Sequence, residues 1–147
     1  MASDIDNRIF FRLFQVGNSL QKQAQKELGV STVQWAVLGA LSRPLVADGM
    51  SIAALGSYLV VSRQNLSGVL KRLERSGFVE RVSNGTDRRT RLVRLTAQGH
   101  AFWVDLSAKI TEYYEQATRG LSFDDRVSLL HYLNYLQEAI NNVSISG

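Results

Sequence analysis

The sequence predicts a mainly α-helical fold carrying one small β-ribbon, and three observations support that class. Apolar residues recur at helical spacing near both ends of the chain, as Ile5-Ile9-Leu13-Val16-Leu20 and as Leu129-Leu133-Leu136-Ile140. Strand-like alternation occurs in Phe78-Val79-Glu80-Arg81-Val82 and returns in Thr90-Arg91-Leu92-Val93-Arg94-Leu95, with Asn84-Gly85 supplying turn chemistry between the two. The composition is that of a folded chain with a real core: 147 residues, 45% hydrophobic and 20% charged.

Taken in order, residues 4–27 form a first helix with Asp4 and Asp6 near its start and Gly29 closing it. Phe10 and Phe14 widen its apolar stripe, which runs on over four turns, more than a short single-domain helix needs. Val30-Ser31-Thr32 opens the next helix, which turns Trp35, Leu38 and Leu41 one way with Val37 and Ala40 adjacent, and Pro44 ends it. Residues 45–49 read as a loop. Ser51 caps a short helix whose Ile52, Leu55 and Leu59 face inward.

Ser62 then caps a helix through Arg75 in which Leu66, Val69, Leu70 and Leu73 form the buried stripe. The face left over carries Arg63, Gln64, Asn65, Ser67, Lys71 and Arg72. Gly77 stops this helix. The alternating segments follow, with residues 83–89 as the turn, and Leu92 shares one face with Arg94 while Val93 shares the other with Arg91 and Leu95. Helix, turn, helix and a two-stranded ribbon with a basic tip together make a winged helix-turn-helix. Thr96 caps a long helix to about Arg119, with Phe102, Leu106, Ile110, Tyr113 and Ala117 on its apolar line and Trp103 and Tyr114 alongside. Gly120 breaks it, and Ser122-Phe123-Asp124-Asp125 opens the last helix with a cap and first-turn acids suited to the helix dipole. Residues 141–147 are expected to fray.

The chemistry of the Ser62 helix suits a major groove. Gln and Asn side chains pair bidentately with adenine, Arg with guanine, and a Ser hydroxyl with several base edges. Arg63, Gln64, Asn65 and Ser67 stand in the first two turns, the end of a recognition helix that enters the groove, and Ser62 sits at its mouth. A merely solvated polar face is the plainer reading of the same residues. The charge distribution weighs against it. Residues 63–94 hold nine Lys or Arg against Glu74, Glu80 and Asp87, a local charge of +6, while the remainder holds eight basic and ten acidic residues, or −2. A concentrated positive patch on a mildly acidic body fits a polyanion. A membrane surface is disfavoured, because no basic amphipathic helix with an aromatic face accompanies the patch.

The stretch from Met50 to Gly99 resembles the multiple-antibiotic-resistance regulator (MarR) family of bacterial transcription factors. The resemblance rests on the 55–59 lead-in and Val61-Ser62-Arg63-Gln64-Asn65-Leu66-Ser67. It continues through Leu70-Lys71-Arg72-Leu73-Glu74-Arg75-Ser76-Gly77-Phe78-Val79-Glu80-Arg81, the wing Asp87-Arg88-Arg89, and Leu95-Thr96-Ala97-Gln98-Gly99. One departure lies in the recognition helix, where many members carry Ser/Thr-Thr-Val-Thr and this chain has Gln64-Asn65-Leu66-Ser67. The fold is unaffected, and the operator sequence is left unspecified.

The resemblance implies an N- and C-terminal helical dimerisation region over residues 1–30 and 96–147, and a DNA-binding domain over 31–95. It implies a homodimer on a pseudo-palindromic operator in double-stranded DNA. Lys71 and Arg72, with Arg75, would meet phosphates; Arg88 and Arg89 at the wing tip would reach the neighbouring minor groove, Asp87 pairing with a wing arginine to fix its direction, and Arg91 belongs to the same DNA-binding set. It also implies a repressor released by a small aromatic or phenolic acid, or by the acyl-CoA thioester of one. The pocket would be lined by Phe11 or Phe14, Trp35, Leu38, Trp103 and His100, with Arg8 and Arg12 as cations for an acid or phosphate. Core filling explains the same aromatics equally well. A regulator with no small-molecule effector, and a winged helix that binds protein instead of DNA, are the alternatives.

Other classes find little support. His100 and His131 are 31 residues apart, and neither has a metal partner at helical spacing. Asp124-Asp125 is better explained by helix capping than by paired-carboxylate catalysis, and no phosphate-binding loop or nucleophile elbow is present, so no enzyme, metal or cofactor is expected. Zero cysteines exclude a thiol redox switch and disulfides. No apolar run approaches the roughly 18 residues of a membrane span, and the first residues lack a signal-peptide pattern. The cytoplasm is the expected compartment, with the nucleoid when DNA is bound.

Overall fold

The computed structural model describes residues 3–85 and 87–146, and for Asp87, Arg88, Arg89 and Thr90 it describes the backbone alone. The order is α1 (Asp4–Leu28), α2 (Thr32–Leu41), a 3-10 turn (Pro44–Val46), β1 (Met50–Ser51), α3 (Ile52–Leu59) and α4 (Arg63–Arg75). The wing follows as β2 (Val79–Asn84) and β3 (Asp87–Leu95), then α5 (Ala97–Thr118) and α6 (Phe123–Asn141). Two compact units divide the chain, residues 1–108 and 109–147.

Local chemistry sets the helix ends. Ser3 with Asp6, Ser31 with Gln34, and Ser122 with Asp125 form reciprocal capping boxes, each pairing a side-chain oxygen with the other residue's backbone N–H. Asp125 is thereby accounted for as a cap. Gly29 closes α1 in the left-handed conformation at φ 71°. At the first corner the Gln21 side-chain Oε1 accepts from the Thr32 backbone N–H at 2.9 Å and from the Thr32 hydroxyl, tying α1 to the start of α2. Helix α2 stops at Leu41, ahead of Pro44, which instead opens the 3-10 turn where its missing N–H costs nothing.

The first unit's core comes from the predicted apolar positions of α2, α3, α4 and the wing, whereas the predicted α1 stripe stays outside it, with Ile5, Ile9 and Val16 exposed and Leu13 and Leu20 half-buried. Leu38, Leu41, Leu55, Leu66 and Leu70 are fully buried, with Val37, Val69, Leu73, Val79, Val93 and Leu95 against them. Val93 and Leu95 turn inward together, as the alternation predicts, and Leu92 is half-buried on the other face.

The ribbon is larger than predicted. It is a three-stranded antiparallel sheet in the order β1-β3-β2, with Met50 opposite Val93 and Ser51 opposite Leu92. Two residues are too few to show an alternation, so β1 left no periodic signal. Gly49 admits it: at φ 113° it brings the chain so close that a Cβ there would lie 2.9 Å from Leu92 Cβ and 3.0 Å from the Val93 carbonyl oxygen. The wing ladder also runs further toward its tip than expected. Ser83 pairs with Arg91, and after a register shift Asn84 pairs with Asp87, so strand pairing enters the stretch predicted as turn.

Between α3 and α4, Val60 sits at φ 56° and ψ 46°, the one non-glycine residue with positive φ among the described residues. The left-handed region costs an L-residue roughly 1–2 kcal/mol and is least suited to a β-branched side chain. Replacing Val60 with Asn, which tolerates this region, should stabilise the protein by about 1 kcal/mol and raise Tm by roughly 2–4 °C. A thermal melt checks this, and a lower Tm would contradict it.

In the second unit, α6 is amphipathic without cover: Val127, Leu129, Leu130, Leu133 and Ile140 are all exposed. The first unit has a similar face on α1, where Ile5, Ile9, Phe10, Phe14 and Val16 are exposed. No helix among the described residues is long and apolar enough to cross a membrane.

Candidate nucleic-acid interface

Helix α4 starts because Ser62 caps it: the Ser62 hydroxyl accepts from the Asn65 N–H at 3.2 Å, and the Leu66 N–H donates to the Ser62 carbonyl at 2.9 Å. Its stripe of Leu66, Val69, Leu70 and Leu73 is buried, which fixes the rotation of the helix about its axis. Arg63, Gln64, Asn65, Lys71, Arg72 and Arg75 are consequently exposed on the opposite side. Ser67 lies on the flank, half-buried, and Ser62 is exposed with its hydroxyl engaged as the cap.

The far end of α4 is anchored to the wing. Gly77, at φ 82°, reverses the chain, and the Phe78 N–H donates back to the Leu73 carbonyl at 2.9 Å. Arg81 on β2 donates through Nε to Glu74 on α4 at 3.2 Å, and Arg94 on β3 donates to its cross-strand neighbour Glu80 at 2.8 Å. Pairs this exposed contribute about 0–1 kcal/mol each to stability. Their larger consequence is directional, since Arg81 and Arg94 are each held toward an acid within the protein. Two of the nine cations in the basic stretch are thereby engaged, something that linear spacing did not reveal. Arg91 is exposed on β3. The predicted roles of Arg88 and Arg89, and the pairing expected for Asp87, concern side chains outside the described residues.

The wing base joins α5 through Thr96. Its hydroxyl donates to the Gly77 carbonyl at 2.6 Å and accepts from the Gly99 N–H at 2.9 Å, while its own N–H donates to the Phe78 carbonyl at 3.1 Å. The rings of Phe78 and Phe102 stack at 4.2 Å between centroids. The turn that ends α4 and the cap that starts α5 are therefore one hydrogen-bonded knot.

The residues named for a ligand are distributed as follows. Trp103 packs against α2, where a Cβ at Gly39 would meet its ring at 3.0 Å, and Trp35 is half-buried on the same helix. Leu38 is wholly enclosed in the core. Arg8, Phe11, Arg12 and Phe14 are exposed on α1, and His100 is exposed on α5. Among the described residues no group of three His, Cys, Asp or Glu side chains is placed to hold a metal ion.

On this fold and this geometry, comparisons with known proteins agree. The MarR family model matches residues 28–90. The chain is 48% identical over 134 residues to the transcriptional activatory protein BadR of Rhodopseudomonas palustris, covering 88% of this chain and 77% of that one. It is 27% identical over 108 residues to the homoprotocatechuate degradative operon repressor of Escherichia coli, covering 74% of this chain and 71% of that one. Among solved structures, a mutant of Escherichia coli MarR complexed with operator DNA superposes with a TM-score of 0.76 at 26% identity, over 91% of this chain and 99% of that one.

Proposed function

The chain belongs to the MarR family of DNA-binding transcription regulators, and on that premise we propose that it acts as a homodimer reading a pseudo-palindromic operator and switched by a small aromatic acid or its acyl-CoA thioester. One observation carries the DNA part: a buried stripe on α4 turns Arg63, Gln64, Asn65, Lys71, Arg72 and Arg75 outward from one short helix. Arg63, Gln64, Asn65 and Ser67, with Ser62 at the mouth, read base edges. Lys71, Arg72 and Arg75 meet phosphates, and Arg88, Arg89 and Arg91 extend the contact along the wing. A second copy covers the exposed apolar faces of α1 and α6, which are too extensive to leave in water. Residues 1–30 and 96–147 then form the dimerisation region and 31–95 the reading domain. Two-fold symmetry places the half-sites about one helical turn apart.

The division of labour is testable by competition on cognate and random duplexes. Gln64→Ala or Asn65→Ala should relax preference at one operator position by about 1–3 kcal/mol. Arg89→Ala should weaken binding on every sequence and flatten the salt dependence. Equal losses on both duplexes for all three variants would overturn the assignment.

The effector reading is supported by the relative that bears the name of an aromatic-acid degradative operon and by the aromatic and basic residues named above. Arg8 and Arg12 are the cations for the acid or thioester phosphates, Phe11 or Phe14 with Trp35 and Trp103 supply aromatic surface, His100 is a polar neighbour, and Leu38, enclosed in the core, backs the pocket without lining it. Binding would favour a dimer whose recognition helices no longer match successive grooves, a population shift away from the DNA-bound geometry. A thermal-shift screen of phenolic acids against their thioesters should stabilise the protein with one class; no shift with either removes the proposal. Repression relieved by ligand is the first reading. The 48% identical relative, named as an activator, favours a second, in which the bound dimer turns transcription on. A promoter fusion with and without the protein decides the sign.

A further inference from the structure

Helix α4 has a gap in the middle of its outward ridge. Gly68 lies opposite the buried stripe of Leu66, Val69, Leu70 and Leu73, one turn after Gln64 and one turn before Lys71 and Arg72. It is exposed, its φ is not in the left-handed region, and a Cβ placed there meets nothing within 4 Å. The fold of the single chain therefore gives no steric reason for glycine at this position. Glycine inside a helix is nonetheless unfavourable relative to alanine, because it loses more backbone freedom on folding. A residue that weakens its helix, where any small side chain would fit, points to something outside the chain that needs the space.

We propose that Gly68 is the point of closest approach between the α4 backbone and the duplex, and that the missing Cβ sets how deeply the helix seats in the major groove. The inference rests on the reading that α4 enters DNA. It adds that base reading at Gln64 and phosphate contact at Lys71 and Arg72 are simultaneous only because the ridge between them is bare. A side chain at Gly68 would hold the helix off the groove floor. The non-specific complex, held at the phosphates, tolerates that separation, whereas hydrogen bonds to base edges do not.

The test uses the full-length protein and a duplex that the wild type selects from a randomised pool, with a random duplex as comparison. Gly68→Ala should raise Tm by roughly 2–4 °C, as an improved helix former does, and yet lose at least about tenfold in affinity for the selected duplex. Random-duplex affinity should fall less, so that preference narrows. Gly68→Ser should lose selected-duplex affinity at least as far, with a smaller gain in Tm. Unchanged affinity and preference in the Gly68→Ala protein would overturn the proposal, and so would a loss of binding accompanied by a lower Tm, which marks damage to the fold. Failure of the wild type to enrich any sequence is a separate result: it removes the base-reading function itself, and this inference with it.

Discussion

Gly99→Ala should be among the most damaging single substitutions in the chain, with a loss of about 3 kcal/mol or more and a Tm lower by roughly 6–12 °C. A Cβ at Gly99 would overlap the Phe78 carbonyl oxygen and lie 2.9 Å from the Phe78 carbonyl carbon. Both are backbone atoms, and neither can move freely. Phe78 is fixed by its N–H to Leu73, its carbonyl accepts from the Thr96 N–H, and its ring stacks on Phe102. Relief therefore means separating the wing base from α5. A comparison sharpens the test: Gly120→Ala adds the same methyl where nothing lies within 4 Å, and should leave Tm unchanged or slightly higher. Parallel melts of the two proteins settle the matter, and a Gly99→Ala protein as stable as wild type would mean the knot is not as drawn.

The largest expected effect on binding belongs to the double variant Lys71→Ala/Arg72→Ala. Both residues are exposed on α4, away from its buried stripe, so stability should change little. On the proposed reading, in which a homodimer uses both residues on phosphates, the variant loses about four such contacts. Each contributes about 0.9 to the slope of log K against log salt, so the slope should flatten by roughly 3–4. Affinity near physiological salt should fall by at least about a hundredfold on operator and random duplex alike. Titrations at several salt concentrations give both quantities. A parallel drop with no change in slope would assign Lys71 and Arg72 to something other than phosphate.

These two substitutions differ in how visible their causes are in the linear chain. The stripe of α4 and the polar row against it follow from spacing alone, so the exposure of Lys71 and Arg72 was legible before any fold was known. The contact at Gly99 was not. Thr96 and Gly99 look like an ordinary helix start, and nothing in their spacing says that the Phe78 carbonyl will occupy the place of a side chain. Arg81 and Arg94 likewise read as two more cations of the basic patch until folding sets Glu74 and Glu80 beside them, at sequence separations of 7 and 14.

By itself the amino-acid order determined the helices, their caps, the ribbon and the face of α4 left for a partner. Those features arise within one or two turns, where periodicity and turn chemistry act on neighbours along the chain. Only the tertiary structure decided which cations are already engaged, that Met50 and Ser51 would complete a third strand, and where two backbones touch. It also showed that the ridge of α4 is bare at Gly68 for no reason internal to the chain. Such facts depend on residues meeting across distance, and proximity of that kind has no period for a sequence to display.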